Sequence, residues 1–139
     1  MTPSSFLSAW GPVVSYMGLI FVVSGTSDLP SLPGGGWDKA IHFGEYLILA
    51  VLLVRALARS RWLRPSVQAA AAAAFLATLY GLTDEVHQAF VPGRAVELAD
   101  FLSDAAGALA GAVAVYCWGI ISALFARMPA SHDERGAGR

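Results

Sequence analysis

Charge is what this chain has least of. Only 14% of its 139 residues are Asp, Glu, Lys or Arg, 56% are hydrophobic, and the formal net charge is −1. Soluble domains carry about 25% charged residues, so the composition excludes an ordinary globule and points to a protein that lives in lipid. The few basic residues are scattered over loops and ends. That argues against a nucleic-acid partner, which needs a basic face to neutralise phosphates. Cysteine is nearly absent too: Cys117 stands alone, so no internal disulfide is available, and its apolar setting makes it an inert buried or lipid-facing thiol. Met1–Trp10 has no Lys or Arg, so the first apolar run lacks the positive start of a secretory signal and is expected to be retained as a helix. No internal repeat stands out.

What is present is a set of four apolar stretches separated by turn chemistry. Helices are expected over Phe6–Ser24, from Trp37 or Asp38 to Arg59, over Ser66–Phe90 and over Glu97–Phe125, each close to the roughly 20 residues that cross a bilayer. The expected fold class is all-α, an integral membrane four-helix bundle formed by residues 1–127, with the polar tail 128–139 disordered. Gly11, Gly18 and Gly25 recur every seven residues and should let a neighbour approach one face of the first helix, with Pro12 near its first turn. Ser24–Gly36 reads as a loop in which Asp28 is a turn residue, and Arg55, Arg59, Arg61 and Arg64 surround Trp62 in a short basic loop. Trp10 and Trp37 join Trp62 as interfacial anchors. The Ala69–Ala74 run and the Gly107/Gly111 pair are small-residue packing faces. Val91-Pro92-Gly93-Arg94 ends the third helix.

The remaining polar residues are concentrated. Tyr80–Arg94, YGLTDEVHQAFVPGR, places Asp84, Glu85, His87 and Gln88 within about one and a half turns at the end of an apolar helix. An ionised side chain at the bilayer centre costs roughly 2.5–3.5 kcal/mol on insertion scales, so such a cluster belongs near one membrane face and must point into protein or water. Asp38, His42 and Glu45 share a stripe at i, i+4 and i+7, flanked by Lys39 and Tyr46; Asp100, Asp104, Gly107 and Gly111 share another. With four spans, the termini and the loop after the second helix lie on one side. That side holds Arg55, Arg59, Arg61, Arg64, Arg127, Arg135 and Arg139, against Lys39 and Arg94 opposite. The Arg-rich side is expected to be the cytoplasmic face of the cell membrane, with both termini there. The polar stripes then converge at the external face.

Taken in order, Asp38-Lys39, His42-Phe43 and Glu45-Tyr46, then Tyr80, Asp84-Glu85, His87-Gln88, Phe90 and Pro92-Gly93-Arg94, then Asp100 before Gly107 and Gly111, the pattern resembles the VanZ-like family of small bacterial membrane proteins. The likeness covers Ser24–Gly111, including the Ser-rich segment Ser24–Asp28. Where the family usually has Asn four residues after the last Asp, this chain has Asp104, a carboxylate that must find a partner. The resemblance implies a connection to the cell envelope, because the founding member accompanies glycopeptide-resistance genes and confers low-level resistance to teicoplanin, an antibiotic that acts on lipid-linked wall precursors outside the membrane.

Carboxylates gathered below the water surface must be neutralised by Arg, Lys, a proton or a metal. Four functional classes meet that requirement differently. In a ligand site, Lys39 and Arg94 clamp an anionic headgroup or lipid-linked cell-wall precursor in the bilayer, Asp84, Glu85 and Asp100 orient them, and His42 and Gln88 hydrogen-bond. The set for that site is Asp38, Lys39, His42, Glu45, Asp84, Glu85, His87, Gln88, Arg94 and Asp100. In a membrane-embedded enzyme, the i, i+3 pairs His42/Glu45 and Asp84/His87 supply metal ligands or acid and base, but no HExxH or similar spacing is present, so no metal or cofactor is expected. A proton-coupled transporter would want polar groups in the cytoplasmic half, where the second and third helices have almost none. In a pure scaffold, Arg94 and Lys39 pair with Asp84, Asp38 or Asp100, at about 0.6 kcal/mol per polar contact between membrane helices, a modest return for so many groups.

Overall fold

The computed structural model describes residues 3–26, 37–58 and 65–127. They form four helices: α1 (Pro3–Ser24), α2 (Trp37–Leu57), α3 (Val67–Gln88) and α4 (Leu98–Phe125). The expected Ser24–Gly36 loop with Asp28, the basic loop around Trp62 and the tail fall wholly or largely outside the described residues. Three helices, α1, α2 and α4, are long and apolar enough to cross a membrane. α3 has 22 residues, about 33 Å at 1.5 Å per residue, but its alanines and its two carboxylates lower its apolarity.

The side-chain distribution is that of a protein in lipid. Large apolar residues cover the outside: Leu7, Phe21, Phe75, Leu109, Trp118 and Phe125 are all more than half exposed. The interior is built from small residues. On α3 the buried stripe is Ala70, Ala73, Ala77, Gly81, Asp84, Glu85 and Gln88, and on α4 it is Asp100, Asp104, Gly107, Ala108, Gly111, Ala112, Val115 and Gly119. Small side chains let backbones approach, which is how helices associate when lipid removes the hydrophobic incentive. Cys117 is exposed, the lipid-facing alternative of the two expected.

α2 and α4 run parallel in the most extensive interface. A Cβ on Gly107 would collide with the Phe43 carbonyl, and one on Gly111 with the Leu47 carbonyl, so the same four-residue step on both helices fixes their register. α3 is antiparallel to both and packs into the groove between them. α1 lies on the α2–α3 edge, parallel to α3, with the Tyr80 hydroxyl donating to the Met17 carbonyl at 2.7 Å. The end of α1, the start of α2, the end of α3 and the start of α4 therefore meet at one end of the bundle.

Two expectations about α1 need correction. Helix formation begins at Pro3 rather than Phe6, so Pro12 lies inside the helix and not in its first turn; a missing donor there is tolerated more readily in a membrane helix than in a soluble one. Among the described residues nothing lies near the place a Cβ would occupy on Gly11 or Gly18, and of the three only Gly25 is approached closely, by His87 Cε1 at 3.2 Å. The seven-residue glycine face is not a helix–helix seam.

Candidate functional site

The turn after α3 brings the polar stripes together. Gly93 has φ +83, and the Arg94 N–H bonds the Val91 carbonyl at 3.1 Å. Pro at the second position and a positive-φ Gly at the third fit a type II turn. The chain reverses there and enters α4 at Glu97, whose backbone N–H donates to Glu85 Oε2 at 3.1 Å. A side chain of α3 thus satisfies a free donor at the start of α4, and Glu97 can turn its own carboxylate elsewhere.

Glu97 uses it on Lys39. The Lys39 ammonium has three hydrogens and three carboxylate neighbours, Asp38 Oδ2 at 2.6 Å, Glu97 Oε2 at 2.6 Å and Asp100 Oδ1 at 2.8 Å. Asp38 and Glu97 are half exposed and form the rim, whereas Asp100 is buried. Below this knot, His42 Nδ1 lies 2.9 Å from Asp104 Oδ1, and His42 Nε2 lies 3.9 Å from Asp100 Oδ2. A carboxylate can only accept, so Nδ1 carries the hydrogen. Asp104 is wholly buried, and the space it occupies exists because α3 has Gly81 opposite: a Cβ there would stand 2.9 Å from Asp104 Oδ2. The carboxylate in the usual Asn position has found its partner in His42.

A second group lies between α1 and α3. Ser24 Oγ donates to Asp84 Oδ1 at 2.6 Å, and Gln88 Nε2 donates to Asp84 Oδ2 at 3.1 Å, so both oxygens of this buried carboxylate are satisfied by neutral groups. His87 stacks on Phe21, with ring centroids 4.0 Å apart, and its Nδ1 is 3.4 Å from Ser24 Oγ. His87 therefore belongs to the α1 side and not to the His42 group.

The ten residues picked from sequence thus divide. Lys39, His42, Glu85 and Asp100 meet between α2, α3 and α4, with Asp38 at the rim. Asp84 and His87 contact α1, and Gln88 is bonded to Asp84. Glu45 is half-buried on α2, within electrostatic reach of Asp84, Asp104 and Arg94. Arg94 is half-buried on the turn and forms no ion pair among the described residues. Neither i, i+3 pair, His42/Glu45 or Asp84/His87, falls together within a group of three potential metal ligands among the described residues. The three-residue set that does, His42, Glu85 and Asp100, has one side chain from each of three helices, all buried, each offering a ligand atom within 4.8 Å of the others.

Sequence reasoning passed over four contributors. Ser24 reads as the first residue of a loop, yet its hydroxyl holds Asp84. Glu97 is one turn before Asp100 on the same face, which was a usable signal. Gly81 precedes Asp84 by less than a turn, and only the position of Asp104 reveals why it is small. Tyr46 was placed as a flank of its stripe, but it is fully buried and its hydroxyl has no partner among the described residues.

The VanZ/LLP1 family model matches residues 5–122. No curated protein and no solved structure matches the chain.

Proposed function

The chain belongs to the VanZ/LLP1 family, and from that premise we propose that the polar end of its bundle is a site for the anionic headgroup of a membrane lipid or lipid-linked envelope precursor at the outer face of the cell membrane. The observation that carries the reading is the concentration of buried Asp84, Glu85, Gln88, Asp100, Asp104 and His42 at one end of a bundle whose exterior is otherwise apolar. Intramembrane ionisable groups are functional by default, since stability alone gains little from them. The excess of arginine at the opposite end of the bundle supports an outer position for this end, with both termini in the cytoplasm.

The roles divide according to pairing. Lys39 already meets three carboxylates, so it organises the site. Arg94, half-buried on the turn between α3 and α4, is the cation offered to a ligand, and its planar fork suits a phosphate or carboxylate. Ser24, Asp84 and Gln88 fix the end of α3, from which the turn is presented. A link to teicoplanin response would follow from recognition of a wall precursor by this end.

Native mass spectrometry of the detergent-purified protein tests the reading, with phosphatidylglycerol, phosphatidylcholine and a polyprenyl phosphate as probes. The wild type should retain the anionic lipids preferentially, and Arg94→Gln should weaken that retention about tenfold, the value of one charge-assisted hydrogen bond. Equal retention of the zwitterionic lipid by both forms would overturn it.

A further inference from the structure

The interior of the α2/α3/α4 junction carries more negative charge than its cations neutralise. Glu85, Asp100 and Asp104 are each at most 6% exposed, and among the described residues Lys39 is the one permanently cationic side chain in an ion pair there, His42 adding charge only when protonated. Lys39 also divides its charge with Asp38 and Glu97 at the rim. Uncompensated carboxylates away from water are too costly to persist ionised. One oxygen of Glu85, Oε1, is buried without a hydrogen-bond partner among the described residues, although the other is held by the Glu97 N–H.

The histidine beside it is set up in a particular way. His42 is tied through Nδ1 to Asp104, which fixes the ring and its tautomer and directs Nε2 at Asp100. A carboxylate on the far nitrogen of an imidazole is the outer-shell arrangement that orients metal-binding histidines and raises their basicity.

We propose that His42 Nε2, Glu85 and Asp100 form the binding site of one divalent transition-metal cation, with Asp104 positioning His42 from behind. One imidazole nitrogen and two carboxylate oxygens are a zinc-type donor set, and three protein ligands leave a fourth position open. Tetrahedral zinc with bonds of about 2.1 Å places its ligand atoms about 3.4 Å apart; the His42 Nε2 to Asp100 Oδ2 separation is 3.9 Å, and the three residues each offer a donor atom within 4.8 Å of the others, so side-chain adjustment of about an ångström closes the site. The other acidic trio, Asp38, Glu97 and Asp100, already encloses the Lys39 ammonium and is not a cation site. The ligands come from helices distant in sequence, so no spacing motif announces them.

The test uses the full chain with any affinity-tag histidines removed, in detergent, on a Cys117→Ser background so that the free thiol takes no metal. Zinc per chain is measured by plasma mass spectrometry after equilibration against micromolar zinc, and cobalt(II) uptake by visible absorption. The expected result is one zinc per chain, a nitrogen- and oxygen-ligated cobalt spectrum, and a rise in unfolding temperature with zinc by mass action. His42→Ala and Glu85→Gln should each weaken zinc binding by at least about tenfold, the lower end of what losing even an outer-shell partner costs. Glu85→Gln keeps the size of the side chain and a carbonyl oxygen for the Glu97 N–H, so it decides the matter should His42→Ala fail to fold. Absence of zinc binding by the wild type, or equal binding and equal thermal shift in wild type and Glu85→Gln, would overturn the proposal.

Discussion

Asp104 has one oxygen on the His42 ring and the other buried, without a partner among the described residues, in the space left by Gly81. Its removal should be felt through what it leaves behind. Asp104→Leu strands the Nδ1–H of a buried histidine and is expected to cost about 1–3 kcal/mol, whereas Asp104→Asn retains an accepting oxygen and should cost distinctly less. Thermal unfolding in detergent separates the two; equal losses would mean that the hydrogen bond is not the contribution of this side chain. Lys39 has a different balance. Its contacts with half-exposed Asp38 and Glu97 are of the screened kind worth about 0–1 kcal/mol each, while the contact with Asp100 neutralises a buried charge. Lys39→Gln should therefore destabilise, and adding Asp100→Asn should recover part of the loss in a double-mutant cycle. At this scale the sequence was informative about residue type and uninformative about partners. Asp84 was visible as a carboxylate needing neutralisation, and its neighbours proved to be Ser24 and Gln88 where arginine or lysine was the natural expectation.

Among the helices, glycine's meaning depends on which face it occupies. Gly107 and Gly111 lie against the α2 backbone, and a methyl group at either must push α2 and α4 apart. Gly107→Ala and Gly111→Ala are each expected to destabilise by about 1–3 kcal/mol, as overpacking does. Gly18→Ala adds its methyl to open space within α1 and should be neutral or stabilising by about 0.5–1 kcal/mol, from the backbone entropy glycine loses in a helix. All three can be ranked in one denaturation series; a Gly18 variant as damaging as the other two would contradict the α1 placement. The helices themselves were legible, because apolar runs, the Pro92-Gly93 stop and the small-residue stripes are local signals. Their ends agree with expectation to within about three residues. What was not legible was that α1's glycine repeat points outward, since periodicity defines a face without saying what covers it.

For the molecule as a whole, the four helices alternate in direction, so the polar end and the end bearing Arg55 and Arg127 are opposite. If the arginines lie in the cytoplasm, single cysteines placed at residues 38 and 95 on a Cys117→Ser background should react with an impermeant maleimide from outside intact cells. One at residue 127 should react only after permeabilisation. Labelling of 38 and 95 from different sides would be incompatible with the bundle. The same alternation explains why polar groups from both early and late parts of the chain are neighbours: apart from the Val91–Arg94 turn and the Asp84–Gln88 and Asp38–Lys39 contacts within single helices, the links across the site bridge separate helices, most of them between residues about 60 positions apart.

The sequence by itself determined that the chain is helical, that it resides in a membrane and which end carries the polar groups, because those properties follow from composition, run length and the spacing of residues along single helices. Only the tertiary structure decided who faces whom. His42 with Asp104, Glu85 with the start of α4, Asp84 with Ser24 and His87 with Phe21 depend on helix rotation and register, and these are set by the backbone approach of α2 to α4 at Gly107 and Gly111. That approach is a property of two surfaces in contact, and no one-dimensional pattern on either helix contains it.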